Sequence, residues 1–196
     1  MFTIQIGAQP DASGIVLAGV VRVEYALIPT LNDDDSTQQA RFIMVRKGDK
    51  APGFTLPRKP GEMVDVGADI GKHKVVLLFM PFAYSGVCSA EMCHMRDHFS
   101  DFSKLDAKVY GITVDSPFVT DKWRQDENIP FPILSDFNKE VASQYGVLHE
   151  QLKIFRGVAK RSAFVIDTDG NVVYSWVTED PSQQVKFDEI AAAVTS

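Results

Sequence analysis

Cys88 and Cys93 are the only cysteines in this chain of 196 residues, and they are the side chains best suited to covalent chemistry. Two thiols are too few for a disulfide framework or a four-thiolate zinc site, so any role they have is chemical. Cys88 follows the loop Pro81-Phe82-Ala83-Tyr84-Ser85-Gly86-Val87 and opens a helical pattern running from about Cys88 to Phe102. A first-turn position lies among unpaired backbone N–H groups and the positive end of the helix dipole, which favour an anion. The thiolate is the nucleophilic form of cysteine. Ser85, three residues earlier, can hydrogen-bond that sulfur or a small polar substrate. The competing reading makes Cys88 a small buried apolar residue; its place at a strand-to-helix loop favours the reactive one.

Cys93 leaves two readings open. On an intact helix the Cα atoms of residues five apart lie about 8.6 Å from each other, whereas a disulfide needs them within about 7 Å. A Cys88–Cys93 bond therefore requires the first turns of the helix to unwind. Alternatively Cys93 packs the helix underside with Met92, Met95 and Phe99. His94 and His98 have the i, i+4 spacing of a zinc pair. Cys93, however, projects about 100° away from His94, and no further ligand completes a set, so both histidines read as surface residues and no metal is expected. A thioredoxin-like dithiol exchanger has two residues between its cysteines, and here there are four. A cysteine phosphatase places arginine six after its nucleophile, where this chain has His94. Walker-type and dinucleotide glycine patterns are absent, so no cofactor is expected.

The elements that must position these groups alternate. Lys74 to Met80 is a continuous apolar run, the pattern of a strand covered on both faces. Val109 to Val114 reads as a second strand, and Ser116-Pro117 opens a helix with serine at the cap and proline in the first turn. A short strand over Phe131 to Leu134 and a helix from Lys139 to Tyr145, ending at Gly146, follow. Ala163–Ile166 and Val172–Val177 are strands joined by Asp167-Thr168-Asp169-Gly170-Asn171, a strong hairpin signal. A helix from about Val185 to Val194 closes the chain. The pattern predicts an α/β fold with a central mixed sheet flanked by helices.

Composition narrows the function. With 45% hydrophobic and 23% charged residues the chain is ordinary and globular. A net charge of -6 disfavours nucleic-acid and anionic-membrane partners. No apolar run approaches the roughly 18 residues of a membrane span; the longest candidate, Gly14 to Val21, ends at Arg22 and Glu24, and Asp11 stands where a secretory signal has basic residues. A cytoplasmic protein is expected. Residues 1–43 differ in character: Leu31 to Gln39 is a polar, acidic linker, and Met44 reads like a fresh start. That segment is either a true extension or an upstream stretch included by choice of start codon. The second is preferred and predicts poor order before Met44, with the functional domain spanning 44–196.

Pro81-x-x-x-Ser85-x-x-Cys88 resembles the active-site motif of the peroxiredoxins: proline, three residues, threonine or serine, two residues, cysteine. Gly48 to Phe54 resembles that family's opening strand, Pro130 to Asp136 its mid-domain segment, and Arg161-x-x-Phe164-Val165-Ile166-Asp167 its arginine-bearing strand. The resemblance runs from Met44 to Ala193. Glu91 and Tyr145-Gly146-Val147 are most similar to the single-cysteine AhpE type, while Cys93 is similar to the bacterioferritin comigratory protein, or Q, type. The resemblance implies a thioredoxin-like fold and a thiol-dependent peroxidase acting on hydrogen peroxide and organic hydroperoxides. It implies that Cys88 is the peroxidatic cysteine, that Arg161 stabilises its thiolate, that Ser85 orients the peroxide and that Pro81 shields the sulfur. Glu91 would hold the arginine, and Cys93 would resolve oxidised Cys88 as an intramolecular disulfide. Thioredoxin or a related thiol is the implied reductant, and a homodimer the implied assembly. The alternatives are a redox sensor switched by Cys88 oxidation and a single-cysteine peroxidase resolved by an external thiol. Without the resemblance Arg161, next to Lys160, would read as solvated surface and Glu91 as a first-turn carboxylate.

Overall fold

The computed structural model describes residues 44–196. The expectations for residues 1–43, including their poor order, lie outside the described residues.

A hairpin of β1 (Thr55–Lys59) and β2 (Glu62–Asp65) leads through a 3-10 turn at Val66–Ala68 into β3 (Lys74–Met80). Helix α1 (Gly86–Lys104), β4 (Ala107–Thr113), α2 (Pro117–Asp126), β5 (Ile133–Ser135) and α3 (Glu140–Gln144) follow. A second hairpin, β6 (Leu148–Leu152) with β7 (Phe155–Ala159), precedes β8 (Ser162–Ile166), β9 (Val172–Val177) and α4 (Phe187–Thr195). The central sheet has the order β5-β4-β3-β8-β9. Strands β3, β4 and β5 run parallel, β8 is antiparallel to β3, and β9 is antiparallel to β8. The sheet is mixed, as the alternating pattern predicts.

β3 is central because every residue from Val75 to Met80 is fully buried. Alternate side chains feed two cores. Val76, Leu78 and Met80 pack with Met92 and Met95 of α1, Trp123 of α2 and Ile190 of α4. Val75, Leu77 and Phe79 pack with Phe54, Tyr145 and Phe164. Each such side chain contributes about 1.5–3 kcal/mol on burial, so a strand filled on both faces anchors the layers around it.

The structure corrects the sequence reading in places. Gly48 to Phe54 is not a strand: it forms a single bridge, Lys50 with Asn171, and the first strand begins at Thr55. The Gly48 and Ala51 amides donate instead to the Val172 and Gly170 carbonyls at 2.8 and 3.0 Å, and Pro52, lacking an N–H, cannot continue a ladder. Ser116 sits at the N-cap of α2 with Pro117 in the first turn, but its side chain makes no capping hydrogen bond. The β6–β7 hairpin lacks the turn residues that announce one; Lys153 itself takes the left-handed conformation, φ 54°. The β8–β9 turn is built as expected, with Asp167 Oδ1 accepting from the Asp169 and Asn171 amides at 2.9 and 2.8 Å.

Candidate active site

The site forms where β3 ends and two neighbouring strands deliver their own termini. Met80 pairs with Thr113 of β4, so Asp115 emerges beside the loop that leaves β3. The Asp115 carboxylate accepts from the Ala83 amide at 2.7 Å and from the Thr113 hydroxyl at 2.8 Å, fixing that loop to the sheet. Tyr84 holds a left-handed φ of 58°, and its hydroxyl donates to Asp126 Oδ2 at 2.8 Å. Ser85 caps α1 by position, and Cys88 is the third residue of the helix, in its first turn as expected.

On the other side of β3, Phe79 pairs with Ser162, which brings Arg161 to the end of that strand. Arg161 is 1% exposed and Cys88 is fully buried. Arg161 Nη2 donates to Cys88 Sγ at 3.2 Å, and Nη1 donates to Glu91 Oε2 at 2.9 Å. The Pro181 carbonyl accepts from Nη2 at 3.0 Å and from Nε at 3.3 Å. Glu91 stands three residues after Cys88, on the same helix face, and also accepts from the Val185 amide at 3.5 Å. Burial pushes the Glu91 carboxyl up, and Arg161 opposes that shift. Burial weakens the guanidinium's hold on its proton, but Glu91 and Cys88 more than restore it, and Arg161 ends above its ordinary range. A charged guanidinium thus faces the sulfur with its fork already oriented.

A cavity of about 280 Å³ reaches Arg161, and Pro81, Phe82, Ser85, Val87, Leu152, Phe155 and Pro181 also line it; the fully buried Cys88 does not, and Arg161 connects the two. Pro81 is buried. Ser85 Oγ donates to the Phe82 carbonyl at 3.3 Å rather than to Cys88. Phe82 packs edge-on against Phe155, with centroids 4.7 Å apart, so the β6–β7 hairpin forms one wall.

Cys93 is turned elsewhere. Helix α1 is continuous through both cysteines, and the half-buried Cys93 thiol donates to Glu127 Oε2 at 3.4 Å, at the end of α2. Met92 and Met95 form the buried underside, but Cys93 faces α2. Burial, followed by the Glu127 hydrogen bond, pushes the Cys93 thiol up. His94 stacks on Phe187 with centroids 3.8 Å apart and lies 4.6 Å from the His98 ring.

The structure thus gathers Pro81, Ser85, Cys88, Glu91 and Arg161, and leaves Cys93 apart. Sequence reasoning missed Asp115, the Pro181 carbonyl and the hairpin wall. Asp115 had a signal, since sites gather at the carboxyl ends of parallel strands. Pro181 acts through its main chain, which no side-chain pattern reports.

The profile of the AhpC/TSA family matches residues 47–175. The chain is a peroxiredoxin of that family. Alkyl hydroperoxide reductase E of Mycobacterium tuberculosis is 34% identical over 154 residues, covering 76% of this chain and 98% of the relative. A chloroplastic 2-cysteine peroxiredoxin of Chattonella marina var. antiqua is 34% identical over 143 residues, covering 68% and 71%. The crystal structure of peroxidoxin BcpB from Mycobacterium tuberculosis superposes with a TM-score of 0.68 at 31% identity, covering 77% of this chain and 97% of that one. The fold is thioredoxin-like, and this peroxiredoxin is a thiol-dependent peroxidase that uses a peroxide substrate and a thiol reductant. Among the described residues no helix is long and apolar enough to cross a membrane.

Proposed function

We propose that Cys88 is the peroxidatic cysteine, a reading carried by the 3.2 Å contact between Arg161 Nη2 and Cys88 Sγ beside an open cavity. The Cys88 thiolate attacks one peroxide oxygen and the O–O bond breaks. Cys88 becomes a sulfenic acid, and the departing oxygen takes a proton from solvent as water or alcohol. Arg161 stabilises the thiolate and the charge that develops on the leaving oxygen. Ser85 orients the peroxide once its hydroxyl turns from the Phe82 carbonyl, and Pro81 keeps bulk water from the sulfur. Glu91 holds the guanidinium against the sulfur through its 2.9 Å bond to Nη1. The apolar cavity wall suits organic hydroperoxides as well as hydrogen peroxide.

Cys93 then resolves the sulfenic acid. Its thiolate attacks the Cys88 sulfur, the S–S bond forms, and hydroxide leaves to become water. The continuous α1 must unwind between the cysteines for this step. Thioredoxin or a related dithiol returns the disulfide to two thiols; the enzyme works in the cytoplasm as a homodimer. A single-cysteine cycle, with an external thiol meeting the sulfenic acid directly, is the second reading, favoured by the turn of Cys93 toward Glu127.

Hydrogen peroxide supplied with thioredoxin, thioredoxin reductase and NADPH should drive continuous NADPH loss, and Cys88→Ser should abolish it. Retained activity in that variant would overturn the assignment of Cys88, and stoichiometric oxidation without turnover would favour a redox sensor. Mass spectrometry of peroxide-treated protein should show the loss of two hydrogens; a lasting sulfenic acid with Cys93 free would select the single-cysteine cycle.

A further inference from the structure

The last turn of α2 and the residue that caps it grip the stretch of chain around the two cysteines. Trp123 is fully buried and its indole N–H donates to Ser89 Oγ at 3.2 Å, one residue after Cys88. Asp126 accepts from the Tyr84 hydroxyl in the preceding loop. Glu127, the C-cap of α2, is engaged twice: its side chain accepts from Cys93 Sγ at 3.4 Å, and its main-chain carbonyl accepts from Arg96 Nη1 at 2.7 Å. One short segment therefore contacts the loop before Cys88, the turn after it, and Cys93 itself.

We propose that Glu127 is a positioning residue for the resolving step: its carboxylate holds Cys93 as a hydrogen-bonded thiol on folded α1 and releases it as a nucleophile only when α1 unwinds. The proposal rests on the reading of Cys93 as the resolving cysteine. The charged groups facing Cys93 are Glu127 from the end of α2 and Arg96 and Asp97 from α1. Arg96 favours the thiolate, while Glu127 and Asp97 oppose it. A thiol that donates to a carboxylate cannot attack, because the thiolate is the nucleophile. Unwinding moves Cys93 toward Cys88 and away from Glu127 in one motion, so geometry and ionisation become favourable together. The folded enzyme accordingly keeps its sulfenic acid for the time α1 takes to open. During that interval a second peroxide or an external thiol competes for the sulfur.

The test separates the grip from the disulfide. In a Cys88→Ser background, Cys93 alkylation by iodoacetamide is followed from pH 7 to pH 10, with and without Glu127→Gln. Gln keeps an acceptor but loses the charge, and the Arg96 bond to the main-chain carbonyl is unaffected by the exchange. The midpoint should fall by half to one pH unit, which raises the rate at neutral pH roughly 3- to 10-fold, and Glu127→Asp should restore part of the difference. A rate raised equally at every pH, with the midpoint unmoved, would mean mere loosening of the helix and would overturn the proposal, as would an unchanged profile. In the two-cysteine protein, one equivalent of peroxide should give the Cys88–Cys93 disulfide faster in Glu127→Gln; an equal rate would also overturn it. If the two-cysteine protein forms no such disulfide, the resolving reading fails, and the alkylation profile still decides whether Glu127 holds the thiol.

Discussion

Arg161 illustrates how a single side chain is made chemically useful by its burial. Its fork is divided among the Cys88 sulfur, the Glu91 carboxylate and the Pro181 carbonyl. Taking such a charge out of water is costly, and the geometry must offset that cost with directed hydrogen bonds. Lysine has the charge but not the planar fork, so it cannot serve sulfur, carboxylate and carbonyl at once. Arg161→Lys should therefore lower kcat/KM for hydrogen peroxide by roughly 10²–10³, the range for losing one oriented donor to developing charge. Peroxide-dependent NADPH consumption measures it, and a change under threefold would deny Arg161 its proposed role. From the residues alone Arg161 looked like a surface neighbour of Lys160; motif register singled it out, and the β3–β8 pairing explains why it is buried.

At the scale of elements, β3 was legible because an uninterrupted apolar run has few other places to go. Helix α3 was legible at its end, where Gly146 takes φ 68°. The chain also passes closely there: a Cβ on Gly146 would lie 2.5 Å from the Met44 Cα. Gly146→Ala adds both a strained backbone and a backbone clash, each able to cost about 1–3 kcal/mol. A urea melt should show the midpoint lowered accordingly, and an unchanged midpoint would mean that the Met44 segment is not held as described. The β6–β7 hairpin was not legible, because Leu152-Lys153-Ile154-Phe155 contains none of the glycine, asparagine or aspartate that marks a tight turn. Lys153 adopts the left-handed turn conformation without that signal, and with this hairpin went one wall of the cavity.

At the scale of the whole molecule, two of the exposed large apolar side chains are aromatic rings set near each other in the topology: Phe118 is 70% exposed and Phe137 59% exposed, while the more exposed Ile154 (85%) sits at the tip of the β6–β7 hairpin. The two rings follow the carboxyl ends of the adjacent parallel strands β4 and β5, so they belong to the same end of the sheet. Apolar side chains so placed suit an interface, in keeping with the proposed homodimer. Phe118→Glu combined with Phe137→Glu should convert the dimer to monomer in sedimentation-velocity runs at micromolar concentration. A dimer that survives both charges would place its interface elsewhere.

The linear chain by itself determined the strand-and-helix alternation, the position of Cys88 at a helix start and, through the register of proline, serine, cysteine and arginine, the family. These depend on neighbours in sequence, where apolar periodicity and helix termini act locally. Only the tertiary structure decided which groups meet. The antiparallel pairing of β8 with β3 carries Arg161 across 73 residues to Cys88, the end of β4 brings Asp115 to the loop, and α2 turns Cys93 toward Glu127. Side chains far apart in sequence are brought together by sheet register and packing, and no local pattern encodes the meeting.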